Sequence, residues 1–322
     1  MGHYILRRFF TSIAALFIAT IAVFMVLRIL PGDAVLSILA DTPHSVQMRE
    51  ALRNELGLDK PAYVQYLTWL GRIFDGSFGG RSFETGGQIG ELIAAQLPVT
   101  LLVSGYSIIL SCIWALPTGF IAGYKPGKLR DKFLNVFSLI GLSVPNIFAA
   151  SIVLVGLLKI FRWSPPIIYS TPNENLAEHL YMAIWPVLIL SLEYGSHLLR
   201  TVRAAVGETL KTQYIRGAKA RGINPVSLLL RHAMPPVASI TFSVAAAHFS
   251  ALIGGAIVLE AVFGLPGVGR GLVQAAIARD FPVIQSYSVL LVGAFLLIQM
   301  AVDVLQRFLD PRQRTAETVF SR

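Results

Sequence analysis

Five stretches of the chain, 9–27, 92–124, 133–158, 233–259 and 281–302, are predominantly apolar and contain no Asp, Glu, Lys or Arg. A helix crossing about 30 Å of hydrocarbon needs roughly 20 such residues, so each is long enough to span a bilayer. A sixth stretch, 180–199, has the same length but is interrupted by Glu193. The pattern predicts six transmembrane helices at about 9–30, 97–123, 133–158, 180–199, 235–259 and 281–303, and 1–322 is read as one membrane domain. Pro117, Pro145, Pro186, Gly254 and Gly255 fall inside these runs. Neighbouring helices can re-satisfy the backbone groups that such residues free.

The polar segments between the runs are unequal. Segment 31–91 contains "HSVQMREALRNELGL" and "AYVQYLTWLGRIF". Both place apolar residues at mixed i, i+3, i+4 spacing, which predicts helices lying on the protein or membrane surface. A second segment, 260–280, joins the last two spans. The segment 204–234 includes "YIRGAKARGINPVSLLLRHAMPPV", with Arg216, Lys219, Arg221 and Arg231, Lys211 just upstream, and no acid within the quoted stretch. Gly222 suits the left-handed position that ends a helix. Asn224 and Pro225 then read as a cap and a first turn, with the second helix running to Pro235 and Pro236. The expectation is helix, tight turn, helix. On these residues alone the segment is either a basic anchor that happens to be helical or a docking surface with Tyr214, Ile215, Leu228, Leu229 and Leu230 as its apolar part.

Composition agrees with a membrane protein. Hydrophobic residues make up 54% of the chain, charged residues only 14%, and mean hydropathy is +0.64, against about 25% charged in soluble proteins. The single cysteine, Cys112, excludes a disulfide or a four-thiolate metal site within one chain. The first apolar run is longer than the roughly 7–15 residues of a signal core, so an uncleaved first span is expected. Leu6 stands where a myristoylation signal requires Ser or Thr.

The net charge of +9 is sorted by side rather than gathered for nucleic acid. The N-terminus, "KPGKLRDK" (125–132), the loop 199–234 and the tail from Arg307 together hold 17 basic residues against four acids. The opposite side holds ten basic residues and twelve acids. Basic loops stay in the cytoplasm, which predicts cytoplasmic N and C termini, a cytoplasmic 204–234 loop and external 31–91 and 260–280 segments. Six spans require both termini on one side, so span count and charge agree.

Catalytic chemistry is not evident. There is no G-x-x-x-x-G-K-[ST] to cradle nucleotide phosphates; "GLPGVGRG" (264–271) lacks the Lys and reads as a turn or re-entrant bend. The six histidines show no paired metal spacing. His248 falls in the fifth span, where an interhelical hydrogen bond is the default. Glu193 and Asp303 lie in or near spans, where acids are expensive, but both sit close to predicted cytoplasmic ends. Arg200 and Arg203 are expected to anchor the end of the fourth span at the membrane face. A stand-alone secondary transporter would call for an internal repeat or ion-coupling charges inside the membrane, and neither is evident.

The 204–234 loop resembles the EAA loop of ABC importer membrane subunits: Glu-Ala-Ala, three residues, Gly, nine residues, Ile-x-Leu-Pro. With that glycine at Gly222, Arg216, Gly217 and Ala218 take the Glu-Ala-Ala places and Pro235 the final proline. The Gly–Pro frame and the second Ala match; the Glu, first Ala, Ile and Leu do not. "YILRR", "LPGD", "LRNELGLDKPAYVQYLTWL", "GSFG", "QLPVTLL", "SVPNIF", "RTVRAAVGETLKTQYIRGAKARG" and "LEAVFGLPGVGRGLVQAAIARDFPVIQ" follow in order. Together they resemble the B-type subunit of the dipeptide/oligopeptide/nickel permease family over nearly the whole chain. That branch commonly lacks the Glu of the EAA pattern.

The resemblance implies an all-α integral membrane protein with the type I ABC importer permease fold. It implies a homologous C-type permease as partner, two cytoplasmic ABC ATPases that hold the ATP and Mg, and an external solute-binding protein. This chain would then be a non-catalytic subunit of a bacterial cytoplasmic membrane, binding no cofactor or nucleic acid. Its coupling helix would comprise Tyr214, Ile215, Arg216, Ala218, Lys219, Ala220, Arg221 and Gly222. Peptide is the expected substrate, with nickel or another small peptide-like solute as the alternative. The external segments 31–91 and 260–280 either meet the binding protein or cap the bundle.

Overall fold

The computed structural model describes residues 2–29, 59–166 and 168–309. "HSVQMREALRNELGL", "LPGD" and the basic tail from 310 onward lie outside them. The described residues are helical, with one isolated antiparallel bridge between Arg81 and Gln88. In order they form α1 (Gly2–Ile29), α2 (Ala62–Phe74), α3 (Ile89–Tyr124), α4 (Leu129–Ser143), α5 (Asn146–Ile160), α6 (Leu176–Lys211) and α7 (Gln213–Ala220). A helical turn (Pro225–Ser227) and a π-helix (Leu228–Ala233) lead into α8 (Met234–Phe263), followed by α9 (Val268–Ala278) and α10 (Phe281–Leu309).

Five helices among the described residues are long and apolar enough to cross a membrane: Tyr4–Ile29, Ile89–Tyr124, Leu176–Lys211, Leu228–Phe263 and Phe281–Gln306. The pair α4 and α5 is also long and apolar enough when taken together, but it is bent by 95°, so the described residues hold five such helices, or six with the bent pair counted as one span. A single helix was expected over 133–158, but Pro145 prevents it. Val144, ahead of the proline, is extended (φ −93°, ψ 113°), the conformation a following proline imposes. Pro145 then caps α5. Each half has 15 residues, about 22 Å of helix, too short to cross alone.

Two compact units are distinguishable, one of 1–100 with 265–296 and the other of 101–264 with 297–322. In the first, Phe24, Trp69 and Val289 form a core joined by Leu16, Tyr66, Leu70 and Ile73. The surface helix expected at "AYVQYLTWLGRIF" is α2; its Tyr66 hydroxyl meets Thr20 Oγ1 of α1 at 2.8 Å. Glycine-rich 264–271 is a turn only at its start. Helix α9 begins at Val268, whose N–H donates to Thr100 Oγ1 over 3.0 Å. Asp280, 2% exposed, accepts from the N–H of Val283 at 3.4 Å as the cap of α10, and also from Ser82 Oγ and the N–H of Glu84.

The second unit is built on α6. Its buried positions run from His179 to Val206, and α4, α5 and α8 all pack on it. This accounts for part of the low apolar purity of 180–199: Ser191 and Ser196 are buried on the face packed by other helices, while Leu176, Leu180, Ile184 and Leu188 form an exposed apolar stripe. The helix does not stop at the membrane boundary that Arg200 suggests. It runs on to Lys211, 36 residues in all from Leu176, about 54 Å. In the segment before α6, the Thr171 N–H donates to Glu174 over 2.8 Å and holds that carboxyl below its ordinary range. Burial pushes the Tyr169 phenol up to about 12, and its hydroxyl lies 3.2 Å from His179 Nδ1.

Candidate functional site

Helix α6 ends because Thr212 leaves the helical conformation (φ −65°, ψ 150°); its N–H and Oγ1 both donate to the Thr209 carbonyl, at 3.1 and 2.8 Å. One residue later α7 begins. It is strongly two-faced. Ile215 and Ala218, three apart and therefore on one side, are fully buried against Leu228 and Ala233, with Leu210, Ile223 and Leu229 around them. Burying a side chain like Ile215 contributes about 1.5–3 kcal/mol, enough to hold a helix of only eight residues that would be marginal alone.

The end of α7 follows the spacing read from the sequence. Arg221 is the cap and Gly222 has φ +76°, a left-handed conformation that glycine adopts without a Cβ penalty. The Gly222 N–H donates to the Lys219 carbonyl at 3.0 Å and the Ile223 N–H to that of Ala218 at 3.4 Å, the paired bonds of a Schellman motif. Ile223 packs into the same apolar cluster as Ala218. Asn224 Oδ1 then accepts from the N–H of Val226 at 3.0 Å, starting the next helix.

That helix does not end at Pro235 and Pro236, as the sequence suggested. It widens into the π-helix Leu228–Ala233, with the Met234 N–H reaching the Leu229 carbonyl, and continues as α8 with the prolines at its first positions. Proline has no N–H to return to the carbonyl four residues back, and the first turn is where that loss matters least. The wide turn also places His232 beside Tyr214. Their rings lie 5.4 Å apart, and the Tyr214 hydroxyl is hydrogen-bonded to His232 Nδ1.

The eight residues singled out in sequence therefore divide by role. Ile215 and Ala218 face inward and fix the helix. Tyr214, Arg216, Lys219, Ala220, Arg221 and Gly222 are exposed. Lys211 and Arg231 are exposed as well, so the outer face is basic with one aromatic ring.

Arg203 has a partner that the sequence did not suggest: its guanidinium straddles Asp131 on α4, with Nε donating to Oδ1 and Nη2 to Oδ2 over 3.0 Å. Asp131 is 3% exposed and also accepts from the Gly127 N–H at 2.7 Å. Beside this pair, α3 meets α6 almost backbone to backbone. A Cβ on Gly119 would stand 2.8 Å from the Leu199 carbonyl oxygen, and one on Gly123 2.6 Å from that of Arg203. The spacing is G-x-x-x-G, the small-residue signature of close helix approach in membranes. It is written in "TGFIAG" (118–123).

Glu193, Asp303 and His248 each have a local contact. Glu193 accepts from Asn146 Nδ2 at 2.6 Å, and Gln299 Nε2 donates to Asp303 at 3.4 Å. His248 meets the His197 and Tyr194 rings, at 5.2 and 5.5 Å between centroids. Among the described residues no three His, Cys, Asp or Glu side chains are grouped to hold a metal ion.

Five or six apolar helices of spanning length, with a short two-faced helix closed by a glycine turn between α6 and α8, have the makeup of a multi-pass membrane subunit. The chain belongs to the family of inner membrane components of binding-protein-dependent transport systems: residues 115–315 match the model of that family, and 1–104 match that of its N-terminal membrane component. A probable peptide ABC transporter permease of Sinorhizobium fredii is 35% identical over 315 residues, covering 98% of this chain and all of that one. The oligopeptide transport system permease AppB of Bacillus subtilis is 32% identical over 314 residues, covering 97% and 99%.

Two solved structures share the fold, each with a TM-score of 0.55. An amino acid ABC transporter, 14% identical, matches 67% of this chain and 94% of its own. The MetNI methionine ABC transporter in inward-facing conformations, 21% identical, matches 68% and 96%.

Proposed function

We propose that this chain is one of two permease subunits of an ATP-driven peptide importer in a bacterial cytoplasmic membrane. The observation that carries the substrate is the end-to-end similarity to relatives named as peptide permeases. A homologous C-type permease supplies the other half of the pathway. Two cytoplasmic ATPases bind and hydrolyse ATP with Mg, and a solute-binding protein delivers peptide from outside. This chain contributes no catalytic group and holds no cofactor.

In this reading α7 is the coupling helix. Its exposed Tyr214, Arg216, Lys219, Ala220 and Arg221 enter a groove on one ATPase, while Ile215, Ala218 and the Gly222 turn keep the helix in shape. ATP-driven closure of the ATPases draws the coupling helices together and opens the pathway outward. Release of the hydrolysis products returns it inward. The basic outer face of α7 and its fixed, glycine-terminated length support this role.

The test is uptake of a labelled dipeptide mixture by proteoliposomes holding the complete complex and its binding protein. Uptake that requires ATP and fails when either ATPase or binding protein is left out is the expected result. ATP-independent uptake by this chain alone would overturn the reading.

A further inference from the structure

If α7 is pulled by an ATPase, something must carry its displacement into the membrane. Helix α6 does so along its own length, since it is continuous from Leu176 to Lys211. Helices α5 and α8 pack on α6 directly, while the ends of α3 and α4 nearest α7 are joined to it at one residue. Arg203 lies about 12 Å before the end of α6, by helical rise. Its side chain holds Asp131 of α4 through two nitrogens. Its carbonyl is the group Gly123 of α3 approaches most closely. Asp131 in turn holds the N–H of Gly127, in the short connection between α3 and α4.

This arrangement is more than an anchor at a membrane face. Anchoring arginines need only water or lipid phosphate and leave no reason for a buried acid. Asp131 is the one acid in 125–132, it sits in the first turn of α4 where the helix dipole favours it, and it is 3% exposed. Arg203 is partly open to solvent, but Asp131 is buried, so losing the guanidinium leaves a buried carboxylate with only the Gly127 N–H for a partner; that favours the two side chains staying together. The Gly119 and Gly123 contacts leave no slack between α3 and α6, because even one methyl group would collide.

We infer that Asp131 and Arg203, backed by Gly119 and Gly123, are positioning residues that fasten the feet of α3 and α4 to the part of α6 that carries α7, so that a displacement of α7 moves three helices as one body. The inference rests on α7 being the ATPase-docking helix. It assigns these four residues a part in transmission, with no contact to peptide or ATP.

The experiment uses the whole complex with Cys112→Ser. Spin labels on Arg130→Cys (foot of α4) and Lys211→Cys (end of α6), both exposed, report their separation in nucleotide-free and ATP–vanadate states. The native pair is expected to keep one narrow distance, unchanged within the ~1–2 Å of ordinary helix adjustments. Asp131→Asn is expected to broaden and shift it, and Asp131→Glu to restore it. A shift beyond that range in the native pair overturns the inference. So does an unchanged distance in folded Asp131→Asn complex, even if its melting temperature falls, because the pair would then be only a stabiliser. Cross-linking of Lys219→Cys to the ATPase separates the two readings. Without a cross-link the docking reading fails, whereas a cross-link with a mobile label pair fails the fastening alone.

Discussion

Asn146 Nδ2 donates to Glu193 Oε2 over 2.6 Å, joining the first turn of α5 to α6 just beyond the 95° bend. An acid in a span is expensive without a partner, and Asn146 is the residue the bend presents to it. Replacing Asn146 with Ala removes the donor at a cost of about 1–3 kcal/mol. The melting temperature of detergent-purified complex should fall, and adding Glu193→Gln should recover part of the loss. Equal melting of native and Asn146→Ala complexes would show that water replaces the amide.

Gly222 is held at φ +76° by the two bonds that close α7. A β-branched residue there is strained by roughly 1–2 kcal/mol, whereas Asn visits this region more readily. Gly222→Val is expected to reduce ATP-dependent uptake severalfold while the spans still assemble, and Gly222→Asn to retain most of it. Equal uptake in the two variants would remove the turn from the coupling argument.

The two faces of α7 should respond differently. Ile215→Ala empties a fully buried site and is expected to destabilise the loop by about 2–5 kcal/mol, seen as faster proteolysis between α6 and α8. Lys219→Ala, on the exposed face, should change stability by less than about 0.5 kcal/mol yet weaken co-purification of the ATPases. If Lys219→Ala co-purifies normally in high and low salt alike, the basic face is not a contact.

Helix α3 offers an internal control for the close approach. A Cβ on Gly105 meets nothing within 4 Å, whereas one on Gly123 meets the Arg203 carbonyl. Gly105→Ala should be neutral or stabilising by up to about 1 kcal/mol, from helix propensity. Gly123→Ala should lower the yield of monodisperse protein. The reverse order would place the contact elsewhere.

The five long apolar helices were legible in the sequence because hydrocarbon thickness dictates their length; the bend at Pro145 was not, because a proline inside an apolar run is also compatible with a continuous span. The far end of α6 was not legible. Arg200 and Arg203 looked like a membrane boundary, since charge normally ends a span, and only packing shows that the helix continues past them. The partner of Arg203 lies 72 residues away, and no local pattern links the two. The α7 turn was readable because its logic is local: Gly222, Ile223 and Asn224 lie within six residues of Ala218. Which of its neighbours face inward depended on the π-turn ahead of Pro235, which no spacing rule announces.

Thr212 is the only residue between α6 and α7. With peptide bonds planar, one residue offers two soft rotations, and α7 is about 12 Å long by helical rise. Its far end is closed by the Gly222 turn and its inner face is seated on Leu228 and Ala233, so those rotations are not free to absorb a load. Leu210 of α6 packs in the same cluster, so α7 and the last turn of α6 are held in one fixed relation, with no linker between them to take up slack.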